Sequence, residues 1–286
     1  MSLGVNAGSD GAVRRRAGSR AALAAAIKAL DPLRLVGAVL FVASWQVASA
    51  VTSPIILPSP WSVLKRAAAD FWSAPALSYY GVEQASLYAN LIYTTENVVI
   101  AVAFGAAIGG VVGLVSSRLW LVRAVVDPIM MTAGTVPILI AAPFLLIWFG
   151  VGRASAVSLV TFYVAVILYV FGQRAARNLD PIYEQYALTL GAQRRQTIRD
   201  ILIPATVPEL LGGFRIALAG AWGLEAVSEL LGSQSGMGKI LEVLAGATDP
   251  QGILATLVTL GAAAMIGDAV AVALIQRFAA WNFVRS

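Results

Sequence analysis

Six stretches of the chain are apolar over a length that can cross a bilayer: 35–53, 90–117, 125–149, 154–173, 208–231 and 252–276. A bilayer core of roughly 30 Å needs about 20 apolar residues wound as a helix. Backbone groups in lipid must find partners inside their own segment, so each stretch predicts a helix. The alternating pattern of a transmembrane β-barrel is not seen. Composition agrees: 59% of the 286 residues are hydrophobic and 12% charged, against about half and about a quarter in a soluble domain. That is too little charge to clothe a water-soluble globule, and it excludes a soluble enzyme, a disordered chain and a collagen-like rod. The chain has no Cys and no His. Disulfides, Cys or His metal sites, thiol nucleophiles and a Ser-His-Asp triad are therefore excluded.

Charge sets an expected orientation. Six Lys and Arg precede the first stretch, and with that end inside, fifteen of the twenty fall on cytoplasmic segments. Only Lys65, Arg66, Arg153 and Lys239 fall outside, and Arg215 lies within a stretch. Lys and Arg concentrate on the cytoplasmic side, so both termini are expected there. The split also accounts for the basic pI of about 9.7 without nucleic acid as a partner. Residues 1–33, with Arg14, Arg15, Arg16, Arg20 and Lys28, read as a cytoplasmic tail that can lie on anionic lipid. No clean apolar run precedes a small-residue cleavage site, which argues against a signal peptide. Residues 34–286 form the membrane domain.

Two connections stand out. The external stretch 54–87 is long and aromatic, and Leu57-Pro58-Ser59-Pro60 predicts a short helix over Trp61–Phe71, since Pro suits a first helical turn. The cytoplasmic stretch 174–207 is the longest polar connection. Within its 178–206 portion, Asp180 is placed to cap a helix that begins at Pro181. Tyr183, Tyr186, Ala187 and Leu190 fall on one stripe of it, and Gly191 is placed to end it at positive φ. A second, basic helix is expected from Gln193 to Leu202, with Pro204 and Pro208 marking the return to the membrane. The product is a helix, a Gly turn and a helix, with a small residue at the tip.

These residues resemble the membrane permease subunit of ATP-binding-cassette importers. That family carries a cytoplasmic loop of pattern Glu-Ala-Ala, three residues, Gly, nine residues, Ile, one residue, Leu-Pro. Here Gln185-Tyr186-Ala187, three residues, Gly191, nine residues and Ile201-Leu202-Ile203-Pro204 keep the spacing. Gln185 stands for the family's Glu and Tyr186 for an Ala, with Glu184 one position earlier. Other stretches are similar to the nitrate, sulfonate and taurine branch: Leu57-Pro58-Ser59-Pro60, Asp127-Pro128, Trp148-Phe149-Gly150-Val151-Gly152, Gly213 with Arg215, Ala221-Trp222, Glu229, Gly236-Met237-Gly238 and Asp268 with Trp281.

The resemblance implies an all-α permease with six transmembrane helices. It implies a coupling helix between spans four and five in which Glu184, Gln185, Tyr186, Ala187, Leu190, Gly191, Ile201 and Pro204 meet a cytoplasmic ATPase. Two permeases, expected to be copies of one chain, would pair around a pathway with two ATPase subunits and an extracytoplasmic binding protein, in a bacterial inner membrane. ATP and Mg would belong to the ATPase. This chain has no Gly-x-x-x-x-Gly-Lys-Ser/Thr phosphate loop and needs no cofactor, so it is expected not to be an enzyme. The substrate implied is a small anion: a sulfonate, nitrate or an organic carboxylate.

Other residues admit a plain reading beside a functional one. Gly105, Gly109 and Gly113 suit close helix packing or a gate hinge. Pro137 and Pro143 are expected to kink the third stretch, for packing or to line a pore. Glu96, Arg215, Glu225, Glu229 and Asp268 lie inside stretches, where charges face a cavity or a partner. Glu225 and Glu229 share one helical face. Glu229 matches the family and reads as a structural acid. Glu225 does not match, and protonation or pairing with Arg215 across a helix or a dimer would account for it. The expected pathway set is Pro137, Pro143, Arg215, Trp222, Glu225 and Glu229. Trp120, Trp148 and Trp281 read as interfacial anchors. A secondary ion-coupled transporter using Glu225, Glu229 and Asp268 is the alternative, though such proteins usually show a second half of similar topology.

Overall fold

The computed structural model describes residues 32–82 and 84–278. Nearly all of the expected basic tail, and Trp281 and Arg285 at the other end, lie outside them. The chain divides into two units, Met1–Ser62 and Val63–Ser286. Among the described residues all regular structure is helical.

The first unit holds α1 (Pro32–Val51), whose apolar run Leu35–Val51 is a little short of a full span. After it, the Trp45 indole N–H donates to the Pro58 carbonyl at 3.0 Å and folds the Pro-rich turn back on the helix. Ser59 accepts from the Ser62 amide at 3.3 Å and starts α2 (Pro60–Trp72), one residue longer at each end than expected. A one-turn helix, α3 (Pro75–Tyr79), follows.

The second unit is built on α4 (Leu87–Arg118) and α7 (Arg153–Asn178). Ser86 caps α4 by accepting from the Ala89 amide at 3.2 Å. Gly105, Gly109 and Gly113 face α7 so closely that a Cβ at Gly105 would lie 2.6 Å from Val164 Cβ and 2.7 Å from the Thr161 carbonyl. At Gly113 a Cβ would lie 2.6 Å from the Tyr169 carbonyl. The Gly-x3-Gly-x3-Gly stripe is therefore a backbone-to-backbone contact, and packing accounts for all three glycines.

The stretch 125–149 is not one kinked helix. α5 (Trp120–Thr135) stops before Pro137, and a 3-10 turn (Ile138–Ala141) leads into α6 (Ala142–Phe149) at an angle of 100°. Pro137 cannot donate to the helix and pushes Val136 to extended backbone, φ −77° and ψ 128°. Pro143 lies in the first turn of α6, where its missing N–H costs nothing. Pro128 lies inside α5.

The return to the bundle also differs from expectation. α8 (Pro181–Thr189) and a short α9 (Arg194–Thr197) form the polar connection. From Arg194 the helix runs unbroken to Gly232, through a π turn (Ile198–Leu202) and α10 (Ile203–Gly232). Pro204 and Pro208 do not end it. The wider π turn just before Pro204 accommodates the ring that would otherwise press on the preceding turn. α11 (Met237–Gly246) and α12 (Pro250–Phe278) complete the unit. By length and composition four helices can cross a bilayer: α4, α7, the Arg194–Gly232 helix and α12. The bent α5–α6 pair would make a fifth.

Candidate functional site

The polar connection forms as a knob. Asp180 accepts from the Ile182 amide at 2.9 Å and caps α8. At its other end the Ala192 amide donates to the Ala187 carbonyl and the Gly191 amide to the Leu188 carbonyl, both at 3.0 Å. That pair of bonds is a Schellman ending, and it sets Gly191 at φ +85°. The interval between Ala187 and Gly191 is thus the geometry of one helix terminus. Gln193 and Gln196 cap α9 reciprocally, with Gln196 Oε1 accepting from the Gln193 amide at 2.8 Å. Glu184 does not project freely: it pairs with Arg118, the last residue of α4. The large outward side chains are mostly apolar, with Tyr186 68% and Leu190 84% exposed beside Tyr183 and Ile182. Gln185 is also exposed, Ile201 and Pro204 are half-buried, and Leu202 is buried.

A polar cluster that sequence reasoning missed lies among α4, α5 and α7. Asp127 accepts from the Tyr169 hydroxyl and from the Gln173 amide. Ser116 Oγ lies 2.9 Å from the Tyr169 hydroxyl. Tyr169 and Gln173 are one helical turn apart in α7 and face the same way, which was the available signal.

Glu229 is fully buried and fully employed. It accepts from Thr94 Oγ1 at 2.9 Å and from the Gly238 amide at 2.9 Å. Thr94 Oγ1 in turn accepts from the Met237 amide at 2.9 Å, and Asn90 Oδ1 from the Gly236 amide at 2.8 Å. Three amides at the start of α11 are thereby satisfied from α4 and α10, with a carboxylate at the positive end of the helix. Gly236, at φ +104°, and Gly238 leave the room this needs, since a Cβ at Gly238 would lie 2.6 Å from Glu229 Cβ. Glu229 is accordingly a structural acid.

Glu225, one turn earlier, is also fully buried, but neither of its oxygens has a hydrogen-bond partner among the described residues. The Asn97 side chain is equally buried and without a hydrogen-bond partner among the described residues, as is the Trp222 indole N–H. Within the chain Arg215 does not pair with Glu225. It pairs with Asp268 of α12, Nε to Oδ1 at 3.1 Å and Nη2 to Oδ2 at 2.9 Å. Sequence distance hid this pair, because the two residues lie on different helices 53 positions apart. Glu96 pairs with Arg153 at 2.9 Å, and Arg153 also stands over the Tyr93 ring. Pro137 and Pro143 sit at the α5–α6 bend.

An apolar hollow of about 780 Å³ opens between α4, α10 and α12. Val98 and Val102, Leu211, Leu218 and Trp222, and Val270 are in its wall. Gly267 gives the Trp222 ring its place: a Cβ there would lie 3.0 Å from Cζ2.

The model of a family described as "Binding-protein-dependent transport system inner membrane component" matches residues 78–280. The chain is 28% identical over 210 residues to the taurine transport system permease protein TauC of Escherichia coli, covering 72% of this chain and 73% of that one. It is 29% identical over 200 residues to the nitrate import permease protein NrtB of Synechococcus elongatus, covering 70% and 71%. Among solved structures, an inward-facing MetNI methionine ABC transporter matches with a TM-score of 0.59 at 20% identity, over 67% of this chain and 95% of that one. A bacterial alginate ABC transporter matches with a TM-score of 0.56 at 16% identity, over 88% and 97%.

Proposed function

Because the chain belongs to the family of binding-protein-dependent transport system inner membrane components, we propose that it carries a small anion across a bacterial inner membrane and is driven through the Asp180–Pro204 knob. The chain is a permease subunit of an ABC importer of the taurine, sulfonate and nitrate type, multi-pass and itself non-catalytic. Hydrolysis belongs to a separate ATPase, which holds the ATP and Mg. The complete transporter comprises two copies of this chain, two ATPase subunits and an extracytoplasmic binding protein. Each copy of this chain has six spans, counting α1, the bent α5–α6 pair and the four long helices, and both of its termini are cytoplasmic.

The observation that carries this reading is the knob itself. It sets two large apolar side chains, Tyr186 and Leu190, outward at a Gly turn. Exposed apolar side chains grouped together mark a docking surface, here for the ATPase. Closure of the two ATPases around ATP moves both knobs. Each knob is continuous with α10 through α9 and the π turn, so its displacement passes to the helix that carries Arg215, Trp222 and Glu225. Arg118 holds Glu184 and ties the same knob to α4.

The test is reconstitution of the permease with its genomic-neighbour ATPase and binding protein in proteoliposomes. ATP-dependent uptake of taurine, an alkanesulfonate or nitrate that vanishes when the ATPase is omitted supports the reading. Uptake driven by an ion gradient with no ATPase present overturns it.

A further inference from the structure

Resting on the permease reading above, we infer that Arg215, together with the apolar hollow beside it, forms a binding site for an organic anion that has an oxyanion head and an apolar tail. Asp268 meets the guanidinium side-on, through Nε and Nη2. Arg has five N–H donors in a planar fork, so this arrangement leaves the outer edge, Nη1 with the second Nη2 hydrogen, without a partner among the described residues. Two parallel N–H groups on that edge match two oxygens of a carboxylate or a sulfonate. Asp268 fixes the plane of the guanidinium and so aims the free edge; it is a positioning residue.

The surroundings point the same way. Arg215 lies among Leu211, Phe214, Ile216 and Leu218, and Asp268 among Ile266, Gly267 and Val270. An ion pair in such segments faces water or another polar partner, not lipid. Both side chains are about half exposed, 52% and 41%, so the free edge is reachable. Leu211, Leu218 and Trp222 stand four residues before, three after and seven after Arg215, on one helical stripe. All three line the hollow. Ala271 and Ile275 bear the same relation to Asp268 and line it too. Arg215 and Asp268 are not themselves in the wall, but the shared stripes put the ion pair on the same helical faces as a cavity whose wall is apolar and whose size suits a small molecule. A bare inorganic anion would use the free edge and leave the hollow empty. An alkane- or arenesulfonate, or a carboxylate of similar shape, fills both.

The chain has no cysteine, so Val270→Cys, half exposed on the hollow wall, gives a single reporter. The complex, purified with its ATPase in lipid nanodiscs, is alkylated with N-ethylmaleimide in the presence of methanesulfonate, n-hexanesulfonate, n-hexanol or nitrate. The inference expects protection by n-hexanesulfonate at least tenfold stronger than by methanesulfonate or nitrate. It expects that protection to fall at least tenfold in Arg215→Gln, with Arg215→Lys between. Equal protection by n-hexanol, or undiminished protection in Arg215→Gln, overturns it as mere partitioning into an apolar groove. No protection by any anion, in a complex that retains its ATPase and transports, overturns it while leaving the permease reading intact. Spontaneous Asp268→Cys cross-linking between two copies overturns it as well, since the pair would then be an interface contact. Failure to retain the ATPase counts against the permease reading on which the inference stands.

Discussion

The carboxylate of Glu229 accepts the amide of Gly238 at 2.9 Å, nine residues further along the chain. This bond makes the turn between α10 and α11 a closed structure and explains why two glycines flank Met237. Removing the carboxylate leaves the Gly238 amide and the Thr94 hydroxyl without a buried acceptor, at about 1–3 kcal/mol for each. Glu229→Leu should therefore lower the melting temperature of the purified protein markedly. Glu225→Leu, one turn away, removes a carboxyl that has no hydrogen-bond partner among the described residues, and so removes a group whose burial is itself a cost. Its melting temperature should equal or exceed that of the parent. Equal losses in the two variants would mean that Glu225 has a structural partner after all.

Two glycines on α4 separate packing from helix propensity. A Cβ at Gly105 would lie 2.6 Å from Val164 Cβ, whereas one at Gly110 meets nothing within 4 Å. Gly105→Leu should force α4 and α7 apart and reduce the yield of folded permease severely. Gly110→Ala should match or exceed the parent, since Ala is the better helix former by about 1 kcal/mol. Thermal denaturation followed by light scattering checks both.

Gly191 tests the knob. Its side is open, with nothing within 4 Å of a Cβ, so the penalty of substitution comes from φ +85°, about 1–2 kcal/mol for an ordinary residue. Asn tolerates this region better than a β-branched residue does. Gly191→Asn should keep most substrate-stimulated ATP hydrolysis, and Gly191→Val should lose most of it while the protein still inserts. Normal coupling in Gly191→Val would remove the knob from the transmission path.

Orientation is testable by labelling, because no native cysteine interferes. Ser78→Cys, at the exposed α3 turn, should react with an impermeant maleimide added outside whole cells, and Gln193→Cys should not. The reverse pattern would invert the topology.

The readability of the fold in the sequence followed the locality of its causes. The Asp180 cap, the Gly191 ending and the Pro60 helix start are each decided within a few residues, and all three were legible. The long apolar helices were legible because lipid leaves the backbone no alternative. The bend at Pro137 was harder, since a proline both kinks helices and separates them. Which occurs depends on what α5 and α6 pack against. The continuity through Pro204 was hidden by the π turn, which no residue type announces. In the candidate site, the Gly236-Met237-Gly238 stretch was visible as a motif, but its cause, Glu229 and Thr94 on two other helices, was not. The Arg215–Asp268 and Glu184–Arg118 pairs were illegible for the same reason: each joins elements whose adjacency is a product of the whole bundle.

The central claim is that Tyr186 and Leu190 present the surface by which an ATPase drives this permease. It is tested most directly by Leu190→Cys, a lone cysteine at the exposed end of α8, in cells that express the neighbouring ATPase and binding protein. The account predicts that the ATPase purifies with the permease, and that a short thiol cross-linker joins Leu190→Cys to a cysteine placed on the ATPase surface. ATP is expected to change the yield. A permease that purifies with no ATPase, with Leu190→Cys freely alkylated at the same rate with and without ATP, would contradict it.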